Sequence, residues 1–298
     1  MKPKNLKTKI FLDSGNPEDT QKALHLLGFL DGQTTNPSLV AKNPEVQSIL
    51  SAGSRLSRQQ LYQMYKDIII KISSLIPNGS ISIEVYADNS TKMEDMMREA
   101  RMMNTWAPNA HIKFPTNIEG LKAAEQAVKE GIRVNMTLCF TQEQAVAVYL
   151  ATLEGASQET LPGFKNVFIS PFVGRLDDRG ENGMDLVKNI IEMYSKSDFH
   201  VGVLTASVRG IDHFMTSLAY GVDIITAPLN VLEEWVRKGM LFPDENYQYD
   251  VKSLSPIPFK NIDLNTVGID WKTIHFAYPL IEAGIEKFSA DWNDLVGS

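Results

Sequence analysis

The stretch HIKFPTN, residues 111–117, sets Lys113 inside a short run of β-forming residues. An ammonium is a costly tenant of a central strand, because burial without a partner disfavours the charged form. The same cost can be useful. In a dry site an amine gives up its proton readily and can attack a carbonyl carbon to form an imine. The plainer alternative is a strand-end lysine whose stem packs while its amine reaches water. Lys113 taken alone fits that alternative at least as well.

Lys113 is not alone. In SISIEVYA, residues 80–87, alternation puts Ser82, Glu84 and Tyr86 on one face and Ile81, Ile83 and Val85 on the other. His111 and Lys113 share a face, as do Asn135 and Thr137 in RVNMTLC. Asp13, Asn36, Ser170 and Ser207 also stand at the ends of β-type runs. Each has a bland explanation. Glu84 could neutralise the lysine, Asp13 could cap SGNPEDT, and Asn135 with Thr137 could form a satisfied polar layer. Together they would be several buried polar groups with no task, and such groups are expensive unless fully satisfied. A carboxylate beside an amine can move protons, and hydroxyl and amide groups can hold a water and a substrate's own hydroxyls. Rival chemistries lack their residues. The five histidines form no i,i+4 pair, no metal-ligand cluster appears, and there is no Ser–His–Asp motif, P-loop or G-x-G-x-x-G. Covalent amine catalysis without a metal is what remains.

Positioning such a set requires many strand ends on one face, and the chain alternates accordingly. TKIFLD (8–13), SISIEVYA, AHIKFP, IRVNMTLCF, NVFISPFVG, HVGVLTAS and VDIITAP read as strands, and GQTTNPS as a loop closing another extended segment. Helical patterns lie between them. Asn16 and Pro17 suit the N-cap and first position of one helix. Residues 57–76 form another, and Thr91 with Glu94, Thr116 with Glu119 and Thr141 with Gln144 have capping-box spacing. Residues 240–270 are less regular, and a last helix falls near 276–295. About eight strand–helix units predict a single (β/α)8 TIM barrel over 1–298, with extra helices and a C-terminal extension from about 240 to 298. A doubly wound open sheet is the alternative. It would gather the polar residues near one crevice, whereas here they end several different strands.

The bulk numbers set limits. With 298 residues, 43% hydrophobic and 22% charged, the chain has an ordinary globular balance. A net charge of -7 argues against a nucleic-acid binder held by phosphate contacts, though not against a local cationic pocket. A single cysteine, Cys139, the lack of a signal-peptide core and the lack of a membrane-length apolar run point to the cytoplasm.

The blocks FLDSG, TTNPSLV, IEVYA, IKFPTN, RVNMTLCF, ISPFVGRLDD, TASVRG and GIEKFSADWN resemble, in order and across nearly the whole chain, the transaldolase family. TTNPS and SPFVGR are its more specific signals. The resemblance implies a class I aldolase-type barrel that transfers a dihydroxyacetone unit between sugar phosphates in the pentose phosphate pathway. By motif, Lys113 would form the Schiff base, and Asp13 would act as acid/base on the substrate's C4 hydroxyl. Glu84 would work with Thr137 through a water. Asn36, Thr35 and Asn135 would bind sugar hydroxyls, Ser170 would sit near the C1 hydroxyl, and Phe172 would face the substrate. Arg175, Ser207 and Arg209 would clamp the phosphate. The imine is the electron sink, so no cofactor and no metal are expected. Fructose 6-phosphate, sedoheptulose 7-phosphate, glyceraldehyde 3-phosphate and erythrose 4-phosphate are the expected small-molecule partners, with a homo-oligomer as the expected assembly. The compact branch of the family also contains fructose 6-phosphate aldolases, which carry Gln at the Glu84 position and Tyr at the Phe172 position. Glu84 and Phe172 favour transfer over that lyase, and a barrel that binds sugar phosphate without turnover is the third reading. The chain is longer than the compact form near 54–78 and 236–272, which bears on the acceptor pocket and on contacts between subunits.

Overall fold

The computed structural model describes residues 2–156, 160–244, 247, 249–251, 253–264, 270–274 and 279–296. Eight strands, Lys9–Asp13 (β1), Gly32–Thr34 (β2), Ser80–Glu84 (β3), Ala110–Pro115 (β4), Val134–Cys139 (β5), Val167–Pro171 (β6), Val201–Thr205 (β7) and Ile224–Ala227 (β8), pair in sequence order into a closed barrel. Every pairing is parallel, including β8 with β1. This is the (β/α)8 barrel that the alternation predicts. All eight strands have neighbours on both sides, so no sheet edge is left open.

The helices follow the strands: Pro17–Leu27 (α1), Pro37–Ala41 (α2), Pro44–Ser51 (α3), Arg58–Leu75 (α4), Met93–Asn104 (α5), Ile118–Lys129 (α6), Gln142–Thr152 (α7), Val173–Asp177 (α8), Gly183–Tyr194 (α9), Ile211–Tyr220 (α10), Leu229–Arg237 (α11) and Pro279–Asn293 (α12). Asn16 caps α1 by accepting from the Glu18 N–H, with Pro17 at the first position. Thr141 and Gln144 form the expected capping box of α7. Positions 276–278 of the expected last helix lie outside the described residues.

Two expected caps are wrong, the first for a local reason and the second for a tertiary one. Thr91 Oγ1 accepts from the Asp88 N–H at 2.9 Å and donates to Asp88 Oδ1 at 2.8 Å, so α5 starts after Lys92 with no side-chain cap. Thr116 Oγ1 donates to the Thr137 carbonyl at 2.7 Å, and Asn117 caps α6 in its place. Glu119, expected to cap its own helix, accepts from the Met93 N–H at the head of α5 at 2.9 Å. The neighbouring helix offers an orphan donor, and satisfying it outweighs the local motif. The GQTTNPS segment is not the loop expected after a strand: Gly32–Thr34 are β2 itself, and Asn36 caps the short α2. α3 and α8 have no counterpart in the sequence reading; both are short and follow prolines or strand ends closely.

The barrel interior is layered. Low in it, Phe11, Phe164 and Phe168 pack at centroid distances of 6.0–6.5 Å, and His111 stacks on Phe168 at 4.2 Å. His111 joins this layer as a neutral ring. Its Nδ1 lies 2.8 Å from Ser80 Oγ and its Nε2 3.0 Å from the Lys165 carbonyl, and burial pulls its pKa down to about 3. One step up each strand, by the same parity, come Asp13, Thr34, Glu84, Lys113, Asn135 and Ser170. The aromatic layer closes the floor, and the polar layer faces the carboxyl ends of the strands, the face where barrel enzymes build their sites.

Candidate active site

Lys113 ends the inward face of β4 beside Glu84 of β3, its register partner. The Lys113 ammonium lies 2.9 Å from Glu84 Oε2, and the two side chains are only 4% and 5% exposed. The contact is an ion pair whose angles fall outside those of a hydrogen bond, since Oε2 has no hydrogen-bond partner. Lys113 Nζ donates instead to the Thr35 carbonyl at 3.2 Å. Burial pushes the Glu84 carboxyl up, and Lys113 only partly offsets it. Asp13, half-buried at the end of β1, is likewise pushed up by desolvation, against the pull of Lys113, a hydrogen bond from Thr34 and Lys42. Thr34 Oγ1 donates to Asp13 Oδ1 at 2.7 Å, and Thr226 Oγ1 stands 2.6 Å from Thr34 Oγ1. Two carboxyls and an amine thus share one floor, where burial holds both carboxyls above their ordinary range and Lys113 draws them back only in part.

The side of the barrel beyond them is tied together. Ser170 donates to Asn135 Oδ1 at 2.7 Å, and Asn135 Nδ2 donates to Ser82 Oγ at 2.9 Å. Thr137 Oγ1 is buried without a hydrogen-bond partner. It sits where the β5–β6 register shifts, and the next residue, Leu138, has φ 60°. A left-handed backbone at a leucine costs of order 1–3 kcal/mol and marks a bent strand end.

A cavity of about 640 Å³ opens above this floor, lined by Asp13, Asn36, Lys113, Ser170, Phe172, Arg175, Ser207 and Arg209 among others. Eight of the twelve site residues expected from the sequence therefore border one space. The remaining four, Thr35, Glu84, Asn135 and Thr137, stand behind its wall. Thr35 contributes its carbonyl to Lys113, while its hydroxyl donates to the Ser82 carbonyl and pairs with Tyr65. Glu84 also borders a side pocket of about 10 Å³, with Leu138, Ile285 and Phe288. That is the size of one water.

The two arginines differ. Arg175, on α8, is stacked between Phe172 and Phe288, its guanidinium carbon 5.3 Å and 5.0 Å from their ring centroids. Desolvation draws its pKa down. Room for it depends on Gly284 of α12, where a Cβ would come within 2.6 Å of Arg175 Nη1. Arg209 is more exposed and holds Asp178 at 2.6 Å. Its loop lies hard against α8: a Cβ on Gly174 would meet the Ser207 carbonyl at 2.3 Å and Arg209 Cγ at 2.5 Å. Ser207 itself takes φ 59°. The cavity rim is therefore cationic and arginine-rich, suited to a dianion.

Several contributors carry no local signal. Tyr65 comes from the middle of α4; its hydroxyl accepts from the Glu84 N–H at 3.0 Å. Lys42, just past α2, and Leu280, Lys287 and Phe288 of α12 line the cavity, and α12 is anchored over the mouth by Ser38 bonding to Asp291. Among the described residues no group of three or more His, Cys, Asp or Glu is gathered to hold a metal ion, and no described helix is long and apolar enough to cross a membrane.

The family described as Transaldolase/Fructose-6-phosphate aldolase matches residues 10–298. Among curated relatives, a probable transaldolase of Dehalococcoides mccartyi is 32% identical over 287 residues, 96% of this chain and 99% of its own length. One from Anaeromyxobacter sp. is 33% identical over 287 residues, covering 96% and 98%. One from Brucella ovis is 38% identical over 229 residues, covering 77% and 89%.

Proposed function

This chain belongs to the transaldolase/fructose-6-phosphate aldolase family, and from that premise we propose that it is a transaldolase working through a Schiff base on Lys113. The observation that carries the reading is the buried Lys113–Glu84 pair at the floor of a cavity whose rim holds Arg175 and Arg209. An amine, proton-moving carboxyls and an anion clamp in one space are the parts that reaction needs.

Lys113 attacks C2 of a ketose phosphate, such as fructose 6-phosphate or sedoheptulose 7-phosphate, and loss of water leaves an imine. Asp13 takes the proton of the C4 hydroxyl as the C3–C4 bond breaks. A carboxyl whose pKa is raised by burial can return a proton as well as accept one, which suits both halves of the cycle. The aldose phosphate leaves, and dihydroxyacetone stays as an enamine. Glyceraldehyde 3-phosphate or erythrose 4-phosphate then adds as acceptor, the exchange characteristic of the pentose phosphate pathway. Glu84 and Thr137 each have a buried oxygen without a hydrogen-bond partner; this supports their sharing a water during imine formation and hydrolysis. Asn36 and Ser170 bind sugar hydroxyls, while Thr35 and Asn135 act from behind the cavity wall. Arg175, Ser207 and Arg209 bind the phosphate. Transfer prevails over hydrolysis only where water is kept from the enamine. The Phe172 ring, which has no hydroxyl to hold a water there, supports transfer over release of free dihydroxyacetone.

Borohydride added with fructose 6-phosphate tests the reading. It should trap a covalent adduct on Lys113 and inactivate the protein, and Lys113→Arg should lose essentially all turnover. An adduct on another lysine would sink the assignment, and the lack of any adduct would point to a barrel that binds without turnover. A coupled assay without acceptor separates a lyase from a transferase.

A further inference from the structure

Behind the Arg209 loop lies a polar cluster that the chemistry above does not use. The backbone N–H of Arg209 donates to His213 Nδ1 at 3.1 Å. An accepting Nδ1 carries no proton, so the ring is the neutral Nε2–H tautomer. Its Nε2 lies 2.8 Å from Asp177 Oδ2 and 2.7 Å from the Tyr249 hydroxyl, and that hydroxyl also bonds to Asp177 Oδ2. A carboxylate only accepts, so Tyr249 donates to Asp177, and the His213 Nε2–H is shared between Asp177 Oδ2 and the Tyr249 oxygen. The other oxygen, Asp177 Oδ1, accepts from the Gly183 N–H at 3.0 Å. His213 is 4% exposed, and every polar atom of its ring has a partner.

The three side chains come from three places. Asp177 ends α8, two positions after Arg175; His213 lies in the first turn of α10; and Tyr249 belongs to the stretch after α11. That stretch is strapped onto the same face of the barrel. Ser255 exchanges backbone bonds with Gly180 and Asn182 at 2.7 and 2.8 Å, and Ile257 is held by Asp185 and Asn189 at 3.0 and 2.9 Å. The strap thus delivers one phenol to the junction between the two segments that carry the arginines.

We propose that Tyr249 is a positioning residue of the anion clamp: through Asp177 and His213 it fixes the backbone at Arg209 relative to α8 and so sets the affinity for the phosphate of the substrate. Tyr249 touches no substrate. Its hydroxyl holds Asp177, Asp177 orients His213, and His213 holds the Arg209 N–H in a loop already confined by Ser207 at positive φ. The inference rests on Arg175, Ser207 and Arg209 being the phosphate site.

The test compares the full-length parent with Tyr249→Phe, His213→Asn and His213→Gln, using fructose 6-phosphate and unphosphorylated dihydroxyacetone. Removing the half-buried hydrogen bond to the Asp177 carboxylate, felt at the clamp only in part, corresponds to about 3- to 10-fold in affinity. Tyr249→Phe should raise KM for fructose 6-phosphate by that factor, leaving kcat and the borohydride trapping of dihydroxyacetone within about twofold. His213→Asn keeps an acceptor near the Nδ1 position, and His213→Gln does not. The KM should therefore rise more in the Gln variant than in the Asn variant, a ranking that general loss of folding would not produce. Equal losses on both substrates, or an unchanged KM in Tyr249→Phe, would overturn the proposal. A parent that traps dihydroxyacetone but shows no preference for the phosphorylated substrate would overturn it through the clamp, whereas a parent that traps neither would bring down the Schiff-base reading first and the proposal with it.

Discussion

Replacing Glu84 with leucine removes the carboxylate that, among the described residues, is in ion-pair contact with Lys113 at the barrel floor. With side chains 4% and 5% exposed, water cannot take over the role of either partner. Breaking a buried pair by deleting one member costs about 3–5 kcal/mol, because the other charge is left uncompensated. Asp13 remains within Coulombic reach of Lys113, and Lys113 keeps its bond to the Thr35 carbonyl; both favour the lower end, about 3 kcal/mol. An unfolding entropy of about 2.1 cal/mol/K per residue over 298 residues converts that to a fall of roughly 5 °C in Tm. The double variant Glu84→Leu, Lys113→Met replaces both charges with apolar volume and should recover to within about 1 kcal/mol of the parent, or exceed it. With Lys113→Met as the second single variant, thermal unfolding followed by circular dichroism at neutral pH reads all four corners of the cycle. A single variant that melts with the parent, or a double variant as unstable as the single, would refute the claim that these two groups depend on each other in a desolvated floor.

Arg209→Ala should raise KM for phosphorylated donors roughly 10- to 100-fold, the value of one charge-assisted phosphate contact, while dihydroxyacetone turnover and Tm stay near the parent because its pair with Asp178 is solvent-exposed. Equal effects on both substrates would remove Arg209 from the phosphate. Phe172→Tyr should keep the fold, lower transfer to erythrose 4-phosphate and raise acceptor-free cleavage of fructose 6-phosphate; an unchanged ratio of cleavage to transfer in the folded variant takes Phe172 out of the choice between reactions. His111 has an ordinary value of 6.5 lowered to about 3 by burial, so the unfolded chain binds a proton that the folded barrel refuses. Stability from this group is complete above pH 6.5 and is lost as pH falls toward about 3, at up to ~1.4 kcal/mol per pH unit. His111→Gln should flatten the acid limb of Tm against pH, and an identical limb would show that His111 does not contribute to it.

Strand parity and local caps were written in the sequence because they depend only on neighbours along the chain. The i, i+2 spacing that puts Ser82 with Glu84 and His111 with Lys113 on one face holds wherever the backbone is extended. Asn16–Pro17 and Thr141–Gln144 satisfy orphan N–H groups a few residues away, and the structure keeps both. Eight strand–helix alternations with polar strand ends were enough to prefer a barrel. What the chain order could not decide was competition for partners across space. Thr116 had the right spacing to cap and was taken by Thr137, while Glu119 went to a neighbouring helix. Tyr65 reaches Glu84, α12 brings Phe288 onto Arg175 from more than a hundred residues downstream, and Tyr249 meets Asp177 across 72 positions. Such contacts leave no periodic trace, because a buried donor is satisfied by whichever acceptor the closed barrel brings within about 3 Å of it, and only closure of the barrel fixes which one that is.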